Sequence, residues 1–407
     1  MEKKIRNKII ALSGQPVTGK GTNVKAMIKK LEERGYKSEN IHLIATGDKF
    51  REISKGIIEL IRNTENQEVL EKLSEQTWLR EMLSNADYRS TLVDTIATLK
   101  RNHTDLTNFT IDDANNMPEF KNIRTIIDTI IDKGIAKLGK EINAEERKDE
   151  IWIVDSRLAF HNIPEAFSVR LTSTPEVAAQ RLFNDKKRGQ EDQYKTLEEA
   201  KEARENRRMG EVKRYKKRYG VDLEDKNNYD LIIDTSFSSV DDISDVILQG
   251  AEYYFEDRAF AKEWTSPKTL LPLQEERVTL GKAKYSFEEM LESIKEHGYF
   301  PSEIIEAVEV DGIKYIVEGH HRNFSAAYLG KTLIPYEVMA KDDEKIPGRK
   351  LTARQYASGF DKKKRYGHEW MIQEQDPNFR YEQVYPNINE IIEKNEKQTP
   401  DTDDQDR

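Results

Sequence analysis

Lys8-Ile9-Ile10-Ala11-Leu12-Ser13-Gly14-Gln15-Pro16-Val17-Thr18-Gly19-Lys20-Gly21-Thr22 joins an apolar run to a Gly-rich turn, and the amphipathic run Val24 to Leu31 follows. A run apolar at nearly every position suits a strand buried on both faces, as in a parallel sheet covered by helices. Glycines in the turn let the backbone wrap a phosphate, the first amides of the following helix add partial positive charge, and Lys20 can reach terminal phosphates as a point charge. The hydroxyl that ordinarily follows such a lysine comes one place late, at Thr22. Outward from this stretch, four more β-branched runs read as strands: Ile41 to Thr46, Ile151 to Ser156, Phe167 to Thr172, and Tyr229 to Thr235. Longer charged helical stretches separate them, so the expected fold is α/β with a five-stranded parallel sheet.

The chain has 407 residues, a length for two or three domains. The first, 1–254, carries the sheet, with a helical insert over 57–149 and a basic stretch over 181–218. Helical periodicity in the insert shows at Ile57 to Ile61, Val69 to Leu83 and Ile123 to Leu138, and the polar run Asn102 to Asn116 divides it. Pro267 and Pro272 mark a linker, 255–272. A smaller α+β unit over 273–372 has a helix from Phe287 to Glu296 stopped by Gly298, then strands Ile304 to Val310 and Ile313 to Glu318 joined at Asp311-Gly312. The remainder, 373–407, reads as an acidic tail.

Charged residues make up 35% of the chain and the formal net charge is -9, which disfavours DNA or RNA as a general partner while leaving room for a local basic site. There is no cysteine, so disulfides, thiolate metal sites, iron–sulfur clusters and thiol nucleophiles within this chain are excluded. The charged start, Met1 to Asn7, and the short apolar run Ile9 to Leu12 fit neither a signal peptide nor a membrane span. A soluble cytoplasmic protein with no membrane partner is expected.

Three constellations carry candidate chemistry besides the loop. Asp155 follows an apolar strand, where a magnesium-side carboxylate or a strand-end capping acid would stand. Arg204, Arg207, Arg208 and Arg214 lie in the basic stretch, where planar guanidinium forks could bind phosphate oxygens or simply pair with Glu198, Glu199, Glu202 and Glu205 on a solvated helix. Glu318-Gly319-His320-His321-Arg322 ends a strand and opens a helix, an arrangement suited to an anion.

The loop resembles that of the nucleoside monophosphate kinases, Gly-x-Pro-x-x-Gly-Lys-Gly-Thr, with Pro16, Gly21 and Thr22 in place and Val17 where that family usually has Gly. Ala45-Thr46-Gly47-Asp48-Lys49-Phe50-Arg51, Val154-Asp155-Ser156-Arg157-Leu158-Ala159 and the basic stretch with Tyr219-Gly220-Val221-Asp222 extend the resemblance to archaeal-type cytidylate kinases. It implies a P-loop kinase domain that moves a phosphoryl group from ATP to a nucleoside monophosphate such as CMP or dCMP. On that resemblance Gly14, Thr18, Gly19, Lys20, Gly21 and Thr22 hold the donor, and Thr22 and Asp155 the magnesium. Thr46, Asp48, Arg51 and Arg157 would hold the acceptor, while Lys20, Asp155 and the four arginines act on the transferring group.

The stretch from about Leu270 to Met339 resembles the ParB/sulfiredoxin-like superfamily, whose box reads Gly-x-x-Arg and whose kinase members read Asp-Gly-His-His-Arg. By that likeness Glu318, Gly319, His320, His321 and Arg322 form a second anion site, with Glu275 or Glu276 as a base in a small-molecule kinase. Sulfiredoxin chemistry needs a cysteine that this chain lacks. The alternative is a nucleotide-gated binding or regulatory protein.

Overall fold

The computed structural model describes residues 7–15, 17–63, 67–102, 118, 120–184, 194–275, 287–297 and 303–398. The fold is mixed α/β, and among the described residues ten strands pair mostly in parallel. It divides into two compact units: the first holds Met1–Ser13 and Arg34–Ser168, the second Gly14–Glu33 and Val169–Arg407. This partition differs from a boundary near residue 254. Strand β1 (Lys8–Gly14) leads out of the first unit, and helix α1 (Lys20–Glu33) belongs to the second.

In the first unit, β3 (Ile151–Asp155) lies between β1 and β2 (Ile41–Ala45), parallel to both. Ile9, Ile10, Leu12, Ile153 and Val154 are each at most 1% exposed, as apolar runs covered on both faces require. Helix α2 (Thr46–Arg62) begins directly after β2, and α3 (Phe120–Asn143) ends near the return to β3. Ile53, Ile57 and Ile61 of α2 and Ile123, Ile127 and Ile131 of α3 repeat every four residues and share one core cluster, so helical periodicity becomes packing. Val69 to Leu83, expected as one helical run, is two helices, Gln67–Ser74 and Thr77–Ser84, because Gln76 is extended. Residues 103–116 of the polar break lie outside the described residues. Asn7 pins the chain start to the end of α3, donating to the carbonyls of Ile142 (2.6 Å) and Glu145 (2.8 Å).

The second unit carries the strand order β4-β5-β6-β10-β8-β9-β7. β4 (Phe167–Thr172) and β5 (Leu231–Asp234) are parallel, and β6 (Glu263–Thr265) adds in parallel to β5. β7 (Leu270–Leu271) pairs with β9 (Ile313–Glu318), itself antiparallel to β8 (Ile305–Val310). β10 (Ile334–Lys341) closes the order, parallel to β8 and antiparallel to β6. Residues 255–272, read from two prolines as a linker, thus supply two strands; at three and two residues they are too short for periodicity to reveal. The expected helix stop at Gly298 lies outside the described residues.

The stretch read as an acidic tail is structured through residue 398, since Phe379, Tyr381, Ile388 and Ile392 are at most 1% exposed and belong to the core of the second unit. Their apolar side chains are spaced among acids that dominate the composition. Among the described residues no helix is long and apolar enough to cross a membrane.

Gly56 of α2 faces the Trp78 indole so closely that an added Cβ would stand 2.4 Å from it. Overpacking of that kind costs about 1–3 kcal/mol, against a helix-propensity gain of at most about 1 kcal/mol. Gly56→Ala is therefore expected to lower stability by roughly 1–2 kcal/mol, read as a lower urea midpoint with an unchanged slope. An unchanged or higher midpoint would mean that the indole can move aside.

Candidate phosphate site

Gly14 ends β1 where no side chain fits: a Cβ there would lie 2.9 Å from both the Leu171 carbonyl oxygen and the Thr18 hydroxyl. The Thr18 hydroxyl donates to the Gln15 carbonyl (2.9 Å), closing the loop on itself. Val17 has φ +59° and Gly19 φ +80°. The left-handed conformation is ordinary for Gly19 but a rare, strained one for β-branched Val17, of the kind that concentrates at binding sites. Asn23 then ties the first turn of α1 by donating from its backbone N–H and its amide to the Gly19 carbonyl, both at 3.0 Å. Lys20, Gly21 and Thr22 occupy the start of α1, with Gly21 and Thr22 exposed. That places a lysine beside helix-terminal amides, whose partial positive charge favours an anion.

Two arginines hold this loop from the side. Arg181, on the helix Pro175–Asn184, donates to the Val17 carbonyl (3.4 Å), the Thr235 hydroxyl (3.0 Å) and the Thr235 carbonyl (2.5 Å). Burial pulls its pKa down, partly opposed by Asp234. Arg204, on α4 (Leu197–Tyr219), is 3% exposed and donates to the Gln15 side-chain oxygen, with a weaker contact to Glu205 at 3.4 Å. Its Nε is buried without a hydrogen-bond partner among the described residues, and burial again lowers the pKa. Burying a guanidinium with an unfilled donor costs free energy that an incoming anion would recover.

The other arginines of α4 are engaged differently. Arg208 is clamped by Glu205 (2.6 Å) and Glu224, and these bonds hold its pKa above the ordinary value. Arg207 is exposed and sits 3.5 Å from Glu211, and Arg214 lies over the Tyr215 ring at 4.9 Å. Of the four arginines predicted to act together, Arg204 bonds the loop, through Gln15. Sequence reading left Arg181 and Gln15 out of the site. Arg181 opens the basic stretch, but a glutamine carries no signal that it will meet an arginine 189 positions away.

The remaining predicted residues of the first half lie in the first unit. The Thr46 hydroxyl donates to the Asp155 carbonyl (3.1 Å), fixing the start of α2 against the end of β3. Arg51 pairs with Asp48 one turn back on the exposed face of α2. Ser156, which stands where the cytidylate kinase pattern has Gly, fits without strain: its hydroxyl accepts from Leu158 N–H (3.3 Å) and its own N–H donates to the Leu12 carbonyl (3.2 Å). Arg157 follows it, half-buried.

At the second predicted anion site, Gly319 has φ +98° and opens α5 (His320–Tyr328). His320 is 3% exposed and accepts a hydrogen bond from Leu273 N–H (3.1 Å), and burial pushes its pKa down to about 3. It thus brings no positive charge near neutral pH. Arg322 folds back over Gly319 and meets Glu303 at 3.3 Å, while Glu318 is exposed and His321 half-buried. Glu276 lies outside the described residues. Deeper in, the Asn323 amide meets His368 Nε2 (2.8 Å), and His368 Nδ1 bonds to the Tyr381 hydroxyl. His368 is fully buried, and burial pushes its pKa down to about 3 as well. Asn323 of α5, His368 and Tyr381 thus form a buried hydrogen-bonded chain.

No family model matches the chain. Over 126 residues it is 30% identical to a protein of Lacinutrix mariniflava named S-adenosylmethionine-dependent nucleotide dehydratase, a match covering 31% of this chain and 24% of that relative. The chain therefore spans about a quarter of the relative's length. A solved structure of an uncharacterized protein from Eubacterium ventriosum aligns with a TM-score of 0.33 at 14% identity, over 63% of this chain and all of that one.

The dehydratase corrects the expected activity. It is named for removing water from a nucleotide with S-adenosylmethionine, not for moving a phosphoryl group from ATP with magnesium. Cytidylate kinase activity, ATP and magnesium as cofactors, and the metal roles given to Thr22 and Asp155 are withdrawn on that ground. The relative is an enzyme that acts on nucleotides, the substrate class that the loop suggests.

Both buried histidines have folded pKa values of about 3, against about 6.5 in an unfolded chain. The unfolded state thus binds more protons between those values, and stability falls as pH drops below about 6.5. At pH 5 each histidine is expected to cost about 2 kcal/mol. Urea melts at pH 7.5 and 5.0 measure the loss, and His368→Gln is expected to remove about half of the histidine-linked part. A variant with the full pH-dependent loss would contradict a buried neutral His368.

Proposed function

We propose that this chain binds a nucleotide by its phosphates at the Gly14–Thr22 loop and serves nucleotide chemistry of the type its relative's name describes. The observation that carries the reading is the buried Arg204, whose Nε lacks a partner among the described residues and whose guanidinium bonds Gln15 of the loop that leads into Lys20 and the first turn of α1. An anion there would meet fixed cations and oriented N–H donors with little reorganisation.

Chemistry also separates the two reactants in the relative's name. S-adenosylmethionine carries a sulfonium cation and no phosphate, so a cationic loop disfavours it. The nucleotide, with its phosphates, suits Lys20, Arg181 and Arg204. On this reading the loop serves the nucleotide substrate, and Val17 keeps its strained backbone because that conformation turns the loop.

Calorimetric titration with a nucleoside and its mono-, di- and triphosphates, and separately with S-adenosylmethionine, tests the proposal. Affinity is expected to rise with phosphate number, with no competition from S-adenosylmethionine. Lys20→Ala is expected to weaken nucleotide binding roughly 10–100-fold, the value of a charge-assisted contact. Equal binding of nucleoside and nucleotide, or an unchanged affinity in folded Lys20→Ala protein, would sink it.

A further inference from the structure

Helix α4 is polarised along its length. Thr196 caps its start, accepting from Glu199 N–H, and Glu198 and Glu199 fill the first turn. In its first half Arg208 pairs with Glu205 and Arg207 with Glu211, while Lys201 reaches Glu176 and Arg204 the loop. From Val212 to Val221 there is no acid at all, while Lys213, Arg214, Lys216, Lys217 and Arg218 bring five positive charges within six residues. Lys213, Lys216 and Lys217 are exposed and make no ion pair with a described residue. Gly220, at φ +70°, ends the helix just beyond them.

Cations in a last turn offset the helix dipole. That accounts for Lys216, Lys217 and Arg218 but not for Lys213, which lies a turn earlier. Nor does it account for the aromatic residues set among them. Tyr215 and Tyr219, one turn apart, stack with ring centroids 6.1 Å apart and 24° between planes. Arg214 lies 4.9 Å from the Tyr215 centroid and Arg218 5.1 Å from that of Tyr219. Each ring is thus paired with a guanidinium, and both groups stack on nucleobases.

We infer that the C-terminal half of α4 is a docking surface for a single-stranded polynucleotide, its lysines following the phosphates and the Tyr215–Tyr219 pair taking bases. Six residues of helix rise about 9 Å, longer than the spacing of neighbouring phosphates. The surface therefore suits a strand rather than one free nucleotide. An acidic peptide would use the lysines but gain less from the paired rings. A protein with a net charge of -9 repels polyanions at long range, so a strand that binds must find concentrated local charge.

Fluorescence anisotropy with a labelled oligo-dT or oligo-U 12-mer lacking terminal phosphates, titrated with the full chain from 50 to 300 mM salt, tests the inference. Single-strand binding loses about 0.7 in the logarithmic salt slope for each phosphate contact removed. A Lys213→Gln, Lys216→Gln, Lys217→Gln variant is expected to flatten the slope by about 2 and to bind at least tenfold more weakly at 50 mM salt. Tyr215→Leu with Tyr219→Leu is expected to weaken binding roughly tenfold or more at an unchanged slope. Lys20→Ala leaves this binding intact, so it stands or falls separately from nucleotide binding at the loop. Circular dichroism melts confirm that each variant folds. Absence of binding at 50 mM salt, equal binding of a polyglutamate of the same length, or an unaffected tyrosine variant each overturns the inference.

Discussion

The close approach of Gly14 to the Leu171 carbonyl governs the geometry of the candidate site. With a Cβ held to 2.9 Å of a backbone oxygen, only glycine lets the chain leave β1 at that point and angle. The rest follows from the turn it permits. Thr18 closes the loop on Gln15, Val17 and Gly19 adopt left-handed backbone, and Asn23 fastens the first turn of α1. Gln15 in turn gives Arg204 its anchor, and the Val17 carbonyl helps fix Arg181. Two guanidinium groups on separate helices are thereby placed by contacts with the loop itself, and a substitution at Gly14 would disturb them all together.

The strands were legible because burial on both faces leaves a strong trace. β1 to β5 were all visible as β-branched runs, and their observed bounds differ from the expected ones by two residues or fewer. The hairpin at Asp311-Gly312 was legible for a different reason: both residues have positive φ, which an Asp-Gly pair tolerates. What escaped the sequence was short or non-local. β6 rests on Trp264 and two neighbours, and the C-terminal core residues are scattered among charges.

The candidate site was legible only where its residue types are unusual for their place. The loop residues and Arg204 could be named because glycines, a lysine and a basic stretch are unusual at those places. Gln15 and Arg181 could not, since their roles come from a tertiary contact. His320 was grouped with the second anion site, and its burial against Leu273 N–H makes it a neutral acceptor. The assigned reaction was misread. Glycines and a lysine in a strand-to-helix turn speak to a class of ligand and not to a reaction, and different chemistries can use the same turn.

The pairing of β6 with both β5 and β10 gives the second unit an uninterrupted hydrogen-bonded path from β4 to β7. A gene fragment cut in the proline-marked stretch before Glu263 would leave the backbone edge of β5 unpaired, the kind of edge that recruits another chain. The shorter fragment would then be prone to self-association. What looks like a seam between modules is, mechanically, the rib that joins them.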